Sequence, residues 1–314
     1  MIGALALLLG ALLVAAHGHR ALLRLTRSHL VDPQVTMVAW AVTLLSVVVT
    51  TIAGVIFLAL PGHGGLGALL GRLSSCWAAL RHGALPSWEE FSALAGALLL
   101  AGIGARLWTV AMRQTKVRRS RREQYRFLVA LVTTESRESP RVVWLDHPQP
   151  IAFSLAGGSG LIVASKGLRQ QLGPLPLAAT LEHERAHLRG RHQLLLDVVD
   201  ATAAALPITP LFRTAPAALR ELVELAADDA AVRRFGCAAV GEALRTLITG
   251  PDVGNGLAMG SAATARRLIR LDSGREARSG AARSLWCALV GLAATVLPAF
   301  LGLGLLLSVA CSVN

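Results

Sequence analysis

Leu181-Glu182-His183-Glu184-Arg185-Ala186-His187-Leu188 carries an H-E-x-x-H motif, and its reading decides what kind of protein this is. At 3.6 residues per helical turn, His183 and His187 stand one above the other on one face. Two neutral imidazoles at that spacing can share a zinc ion. Glu184 lies about 100° round the helix, where it can reach a metal-bound water without occupying the metal. That is the place for a general base in hydrolysis. The alternative is an amphipathic surface helix with two ordinary histidines. Leu175, Leu177, Ala178, Ala179, Leu181 and Ala186 argue against it by giving the segment an apolar face, and three of the chain's nine histidines (His183, His187, His192) fall within ten residues.

A hydrolytic zinc takes three protein ligands and keeps one position open. The best candidate for the third is Glu224, in Glu221-Leu222-Val223-Glu224-Leu225-Ala226-Ala227-Asp228-Asp229. Residues 215–234 read as a helix with Pro216 near its start and Gly236 just past its end. Glu224 and Asp228 then share a face. A metal-bound histidine usually donates its other ring N–H to a carboxylate, and Asp228 is placed to accept it. By itself such an acidic pair is most simply solvated charge; some forty residues after an H-E-x-x-H it is a second half-site.

His183-Glu184-x-x-His187 followed by Glu224-x-x-Ala227-Asp228 resembles the gluzincin pattern of two groups of membrane metallopeptidases. One is the BlaR/MecR-type antirepressor peptidases, the other the HtpX and CaaX-prenyl-protease type. Pro150 to Ser154 and Gly160 to Ser165 resemble the strand pair before the zinc helix in those families. Ala265-Arg266-Arg267-Leu268-Ile269-Arg270-Leu271 resembles the basic segment before their last span. The resemblance covers roughly residues 120–310 in detail. It implies a mostly α, zincin-like peptidase domain with a small β-sheet. It also implies one zinc ion held by His183, His187 and Glu224, with Glu184 as base and Asp228 orienting His183. Arg191-His192 stands where these families often carry Arg-Asp, so the role of His192 is open. The oxyanion-stabilising group is equally open among His192, Arg220 and Arg233.

Composition sets the surroundings. The 314 residues are 54% hydrophobic with a mean hydropathy of +0.55, too apolar for an ordinary soluble domain. Cys76, Cys237, Cys287 and Cys311 form no C-x-x-C pair, so neither a zinc knuckle nor a disulfide framework is signalled. Residues 37–60 and 285–310 are uncharged runs long enough to cross a bilayer. Residues 91–112 form a third, interrupted by Arg106 near one end, where it can snorkel. Residues 2–16 are short for a span; no basic residues precede them as in a signal peptide, and they read as a first span. About four transmembrane helices are therefore expected. Residues 1–112 form an N-terminal membrane region, 113–284 a metallopeptidase domain and 285–314 a C-terminal span.

Orientation follows the basic residues. Arg20, Arg24 and Arg27 fall in loop 17–36, and only Arg72 and Arg81 in the longer loop 61–90. Seven basic residues fall between 113 and 126. This arrangement puts both termini outside and residues 113–284 in the cytosol. At a membrane exit the arginine run 113–126 is better explained by topology and anionic lipid than by direct nucleic-acid binding. Segment 194–212, apolar but with Asp197 and Asp200, reads as a packed or interfacial helix. The zinc helix is expected over 176–190, with a possible continuation to 205.

The partners expected are the bilayer and a protein or peptide substrate. The antirepressor resemblance makes that substrate a DNA-binding transcriptional repressor in a signalling pathway. The sequence ends at Asn314, about four residues past the last apolar run, so the penicillin-sensor domain of that group is not expected. Sensing would then fall to loop 61–90 or to a separate protein. The alternatives are a membrane quality-control protease of HtpX type and a non-enzymatic scaffold with a structural zinc site. Glu184 argues against the scaffold, because a structural site needs no base.

Overall fold

The computed structural model describes residues 2–28, 31–59, 74–75, 77–78, 81–82, 88–131, 141–156, 160–248, 257–274 and 280–313. Most of loop 61–90, the turn residues 157–159 and the basic residues Arg275 and Arg278 lie outside them. The chain is mostly helical. Four of the described helices are long and apolar enough to cross a membrane, over Gly3–Arg27, Pro33–Phe57, Leu94–Arg113 and Leu285–Gly304.

The first, α1 (Ile2–Arg27), does not stop at residue 16. Arg20, Arg24 and Arg27 recur at helical spacing on an exposed face while Leu22 and Thr26 point inward, so the basic residues lengthen the helix. A connection of only five residues leads to α2 (Pro33–Ala59), started by Asp32, whose Oδ1 accepts from Gln34 N at 2.8 Å. The fully buried Trp40 donates from Nε1 to Thr26 Oγ1 at 3.0 Å and ties the two helices together at that end.

The span expected at 91–112 and the arginine run 113–126 belong to one helix, α3 (Trp88–Leu131). Between 105 and 131 the sequence has neither Gly nor Pro, so nothing interrupts it.

The sheet is small. Its strands β1 (Arg141–Leu145), β2 (Ala152–Leu155) and β3 (Leu161–Ser165) lie in the order β1-β3-β2. β2 and β3 are the expected strand pair and run antiparallel, with Phe153 opposite Val163, and β1 joins β3 in parallel. Ser165 fastens the end of β3: its hydroxyl accepts from Ile151 N and Leu168 N and donates to Gln149 O. Gly167, in the short helix α4 (Lys166–Gln171), is passed so closely by the chain that a Cβ there would lie 1.9 Å from Pro148 O.

Next come α5 (Pro174–Arg189), which bears the motif, and α6 (His192–Ala205). The motif helix does not run on to 205. It ends because Arg191 adopts a left-handed conformation, φ 48° and ψ 37°, which turns the chain before His192. α7 (Pro210–Ile248) begins earlier than residue 215 and takes Pro216 inside it. At Gly236, φ 81° and ψ 161°, its helical geometry breaks, so the helix expected at 215–234 is the first of two arms across a kink. α8 (Leu257–Asp272) and the last span, α9 (Gly280–Val313), complete the chain. α9 meets α1 backbone to backbone: a Cβ on Gly10 would lie 1.8 Å from Pro298 O, and one on Gly302 1.8 Å from Ala6 O. Small residues permitting close approach are the usual means of helix association in lipid.

The largest core cluster joins α1, α2, α6 and the first half of α7, around Trp40, Leu211, Phe212 and Leu219. Separate clusters lie under the sheet and between α5, α7 and α8. α7 thus belongs to both the bundle and the domain outside it.

Candidate metal centre

His183 and His187 project from α5 toward Glu224 on α7. The two Nε2 atoms are 3.1 Å apart, and each lies 3.5 Å from a Glu224 carboxylate oxygen. A tetrahedral ion with bonds of about 2.0–2.1 Å sets its ligand atoms about 3.4 Å apart. One atom from each of the three residues lies within 4.8 Å of the others, and this is the set that can hold a metal ion. The donor spacing fits the ion implied by the motif. Two imidazole nitrogens and one carboxylate make a three-ligand set with a fourth direction free.

Both histidines are aimed by what they touch on the side away from the site. His183 Nδ1 is 3.0 Å from Asp228 Oδ1, so Asp228 stands where the helical spacing put it. His187 Nδ1 is 2.9 Å from Nδ1 of the buried His192. For His187 to present the Nε2 lone pair to a metal, its Nδ1 must carry the hydrogen. His187 therefore donates, and His192 accepts through an Nδ1 lone pair. That requires a neutral His192, and burial holds its pKa below the ordinary value. The left-handed Arg191 brings this ring back against α5, and a Cβ on Gly190 would lie 2.3 Å from its Nε2.

Arg267, on α8, is the site residue to which the motif reading assigned no role. Its Nε and Nη2 donate to Asp228 at 2.7 and 2.8 Å, and Nη1 lies 3.0 Å from Glu224 Oε2. One guanidinium thus clamps both carboxylates. Its neighbours continue the pattern: Arg266 meets Glu221 at 2.8 Å and Arg270 meets Asp229 at 2.9 Å. The signal was present as matched spacing, with Arg266, Arg267 and Arg270 facing acids at 221, 224, 228 and 229. Of the other candidates for a polarising group, Arg220 is paired with Asp200 at 2.7 Å and Arg233 is exposed; neither lines the site.

Glu184 faces the ligands from α5 and hydrogen-bonds Ser154 on β2. Two clefts, of about 300 and 380 Å³, meet at Ala152, His183, Glu184 and Glu224. The first is walled by Val240, Ala243, Leu244, Leu247 and Ile248 of the second arm of α7. The second runs past Phe153, Ser154, His192, Gln193 and Leu196. Glu182, one residue before His183, points away from the site and is buried. It accepts from Arg189 at 2.5 Å and Arg234 at 2.9 Å, which pins α5 to α7 from behind.

The charges are tuned by these contacts. Burial opposes ionisation of Glu224 and Asp228. The His183 hydrogen bonds and Arg267 outweigh it, and both carboxyls fall to about 2. Burial likewise opposes a charged His183, but the bonds to Asp228 and Glu224 raise it to about 9. His187, buried and beside a charged His183, falls to about 4. Glu184 is raised, chiefly by burial.

No protein-family model matches this chain, and no solved structure matches it.

Two outcomes are expected. At pH 7 the metal-free site holds a proton on His183 and none on His187, so a metal must displace that proton. Calorimetry in buffers of different ionisation enthalpy should show about one proton released per metal. Affinity should rise about tenfold per pH unit up to the His183 pKa of about 9 and then level off. A pH-independent affinity between 6 and 8 would contradict this. The His192→Ala and Asp228→Asn variants should each bind metal roughly 10–100-fold more weakly. The Arg220→Ala variant should bind as the parent does, and His192→Asn, which keeps an acceptor, should recover part of the loss; competition with a chromophoric chelator measures all four.

Proposed function

We propose that this protein is an integral-membrane zinc endopeptidase that hydrolyses peptide bonds of a protein substrate on the cytosolic side. The observation that carries the reading is Glu184: a half-buried carboxylate that lines both clefts beside a three-ligand set, where a purely structural metal site has no use for it. A zinc ion held by His183, His187 and Glu224 would supply Lewis acidity toward a water molecule and the scissile carbonyl. Glu184 takes the proton from that water and later returns it to the leaving amine. Its raised pKa improves it as a base and as an acid near neutrality. The Ser154 hydrogen bond keeps it turned toward the cleft. Arg267 holds Glu224 anionic, and Asp228 and His192 keep the imidazoles oriented.

The substrate fits as an added strand. Among the described residues β2 is an edge strand, and Ala152, Phe153 and Ser154 line the second cleft. An extended peptide beside it would place one side chain against Val240, Ala243 and Leu244. The placing of a small sheet and the ligand helix beside the motif helix supports the same reading. So does the resemblance to antirepressor peptidases, which favours a transcriptional repressor as substrate.

The Glu184→Gln variant should keep its metal and lose proteolysis. Gln preserves the size but cannot accept a proton at neutral pH, and general-base catalysis is worth roughly 10²–10⁴ in rate. The loss should appear in kcat, with metal content unchanged by elemental analysis; proteolysis at the parental rate would remove the enzyme reading. Orientation is open to a separate check. Alkaline phosphatase fused at position 75 should be active, and the same reporter at position 170 silent. The reverse would put the catalysis outside.

A further inference from the structure

Residues 201–212, Ala-Thr-Ala-Ala-Ala-Leu-Pro-Ile-Thr-Pro-Leu-Phe, carry no charge and form the tip of the hairpin between α6 and α7. Two sets of contacts fix its level relative to the spans. On one side, Arg106 of α3 donates to Ala204 O at 3.4 Å. Arg106 is about two turns before Arg113, where the apolar part of α3 ends, and so lies roughly 10 Å inside it. On the other side, Leu222 and Leu225 border the same small cavity as Leu25, Val31 and Pro33 at the turn between α1 and α2. From Leu222, α7 runs back through Leu219, Ala215 and Phe212 to Leu211. All are buried in one cluster with Ala11, Val14, Leu44 and Val47, well inside the first two spans. Leu211 is therefore roughly 16 Å deeper than Leu222 at 1.5 Å per residue. The α1–α2 turn and the Arg113 end of α3 face the same side, because α2 and α3 each cross once.

We infer that α6 and α7 form a hairpin inserted into the bilayer from the side of the metal centre, with Ile208 in the lipid at its tip. A depth of about 10 Å at Ala204, and at most about 16 Å at Leu211, is a third to about half of a hydrocarbon core about 30 Å thick, so the hairpin enters and returns without crossing. Ile208 is 87% exposed to anything but protein, and Val198 and Leu194 continue the uncovered apolar side of α6. Part of the corner's backbone is spared the cost of unpaired groups in hydrocarbon, while the Thr209 hydroxyl stays unpaired and the exposed Arg213 must reach back toward water. Pro207 and Pro210 bring no N–H to be left unpaired, Leu206 N donates to Thr202 O, and Arg213 N donates to Thr209 O. Arg106, a charge two turns inside the end of a span, finds a carbonyl at the end of α6. Asp200, higher on the hairpin, accepts from Arg220 with both oxygens. His192 begins α6, and Glu224 follows Leu222 by half a turn. The ligand cluster therefore sits at the boundary between lipid and water.

Site-directed fluorescence on the full chain in phosphatidylcholine vesicles tests this. The four native cysteines are replaced by alanine, and an environment-sensitive dye is attached to Leu194→Cys, Val198→Cys, Ile208→Cys or, as a control in the domain outside the bundle, Gln171→Cys. All four side chains are partly or largely exposed, so the labelled chains should fold. Lipids with a nitroxide on the acyl chain should quench the dye at 208 most, at 198 less and at 194 least. Aqueous iodide should quench at 171 and leave 208 untouched. If iodide quenches 208 as strongly as 171, or the nitroxide lipid fails to quench 208, the hairpin is not in the bilayer. This result is independent of whether the protein cleaves anything.

Discussion

Two carboxylates one turn apart on α7, Glu224 and Asp228, face the same way in a partly dry site. Left alone they would repel and take up protons. The guanidinium of Arg267 lies against both, and His183 bonds to both. That four-residue charge balance joins α5, α7 and α8, and removing any member leaves a charge without a partner. Buried ionic clusters contribute little net stability but fail badly when broken. Here their return is geometric, because the same contacts that neutralise Glu224 fix where its oxygens point. Glu182 repeats the device on the opposite face of α5, where Arg189 and Arg234 hold it.

α7 is the element on which everything converges. Its first arm is buried among the spans, its middle carries the acid ladder that meets α8, and beyond Gly236 its second arm walls one cleft. A glycine at the break lets one helix serve two directions without a loop between them. A shift of the spans against α7 would have few ways to be absorbed before it reached Glu224.

The parts of the site that follow from periodicity were legible in the residues. His183, His187 and Glu184 are related by one turn of helix, and Glu224 and Asp228 by another. The structure brings His183, His187, Glu224 and Asp228 together. The long apolar runs were legible as helices long and apolar enough to cross a membrane, because length and hydropathy suffice for that. What depended on backbone breaks was not visible. Arg191 is an ordinary residue that happens to turn left-handed, and so the end of the motif helix was missed. The lack of Gly and Pro after residue 105 should have joined the third span to the basic helix beyond it. Arg267 lies some eighty residues from the motif, and only the spacing of acids on α7 against arginines on α8 pointed to it. His192 was conspicuous but ambiguous. Its role comes from a tautomer, which only the position of a neighbouring ring defines.

Gly190 touches neither the ion's place nor a ligand, yet its missing side chain makes the room in which the His192 ring lies. Any side chain there would displace that ring, and the disturbance would pass through one hydrogen bond to His187. Damage to such a position would leave the helices, the spans and the ligand residues intact and show itself as a protein that folds but is poor in metal. The set of residues that would govern a metal at this site is therefore wider than the set that could bind it. Part of it is written in backbone, where an inventory of donor atoms finds nothing.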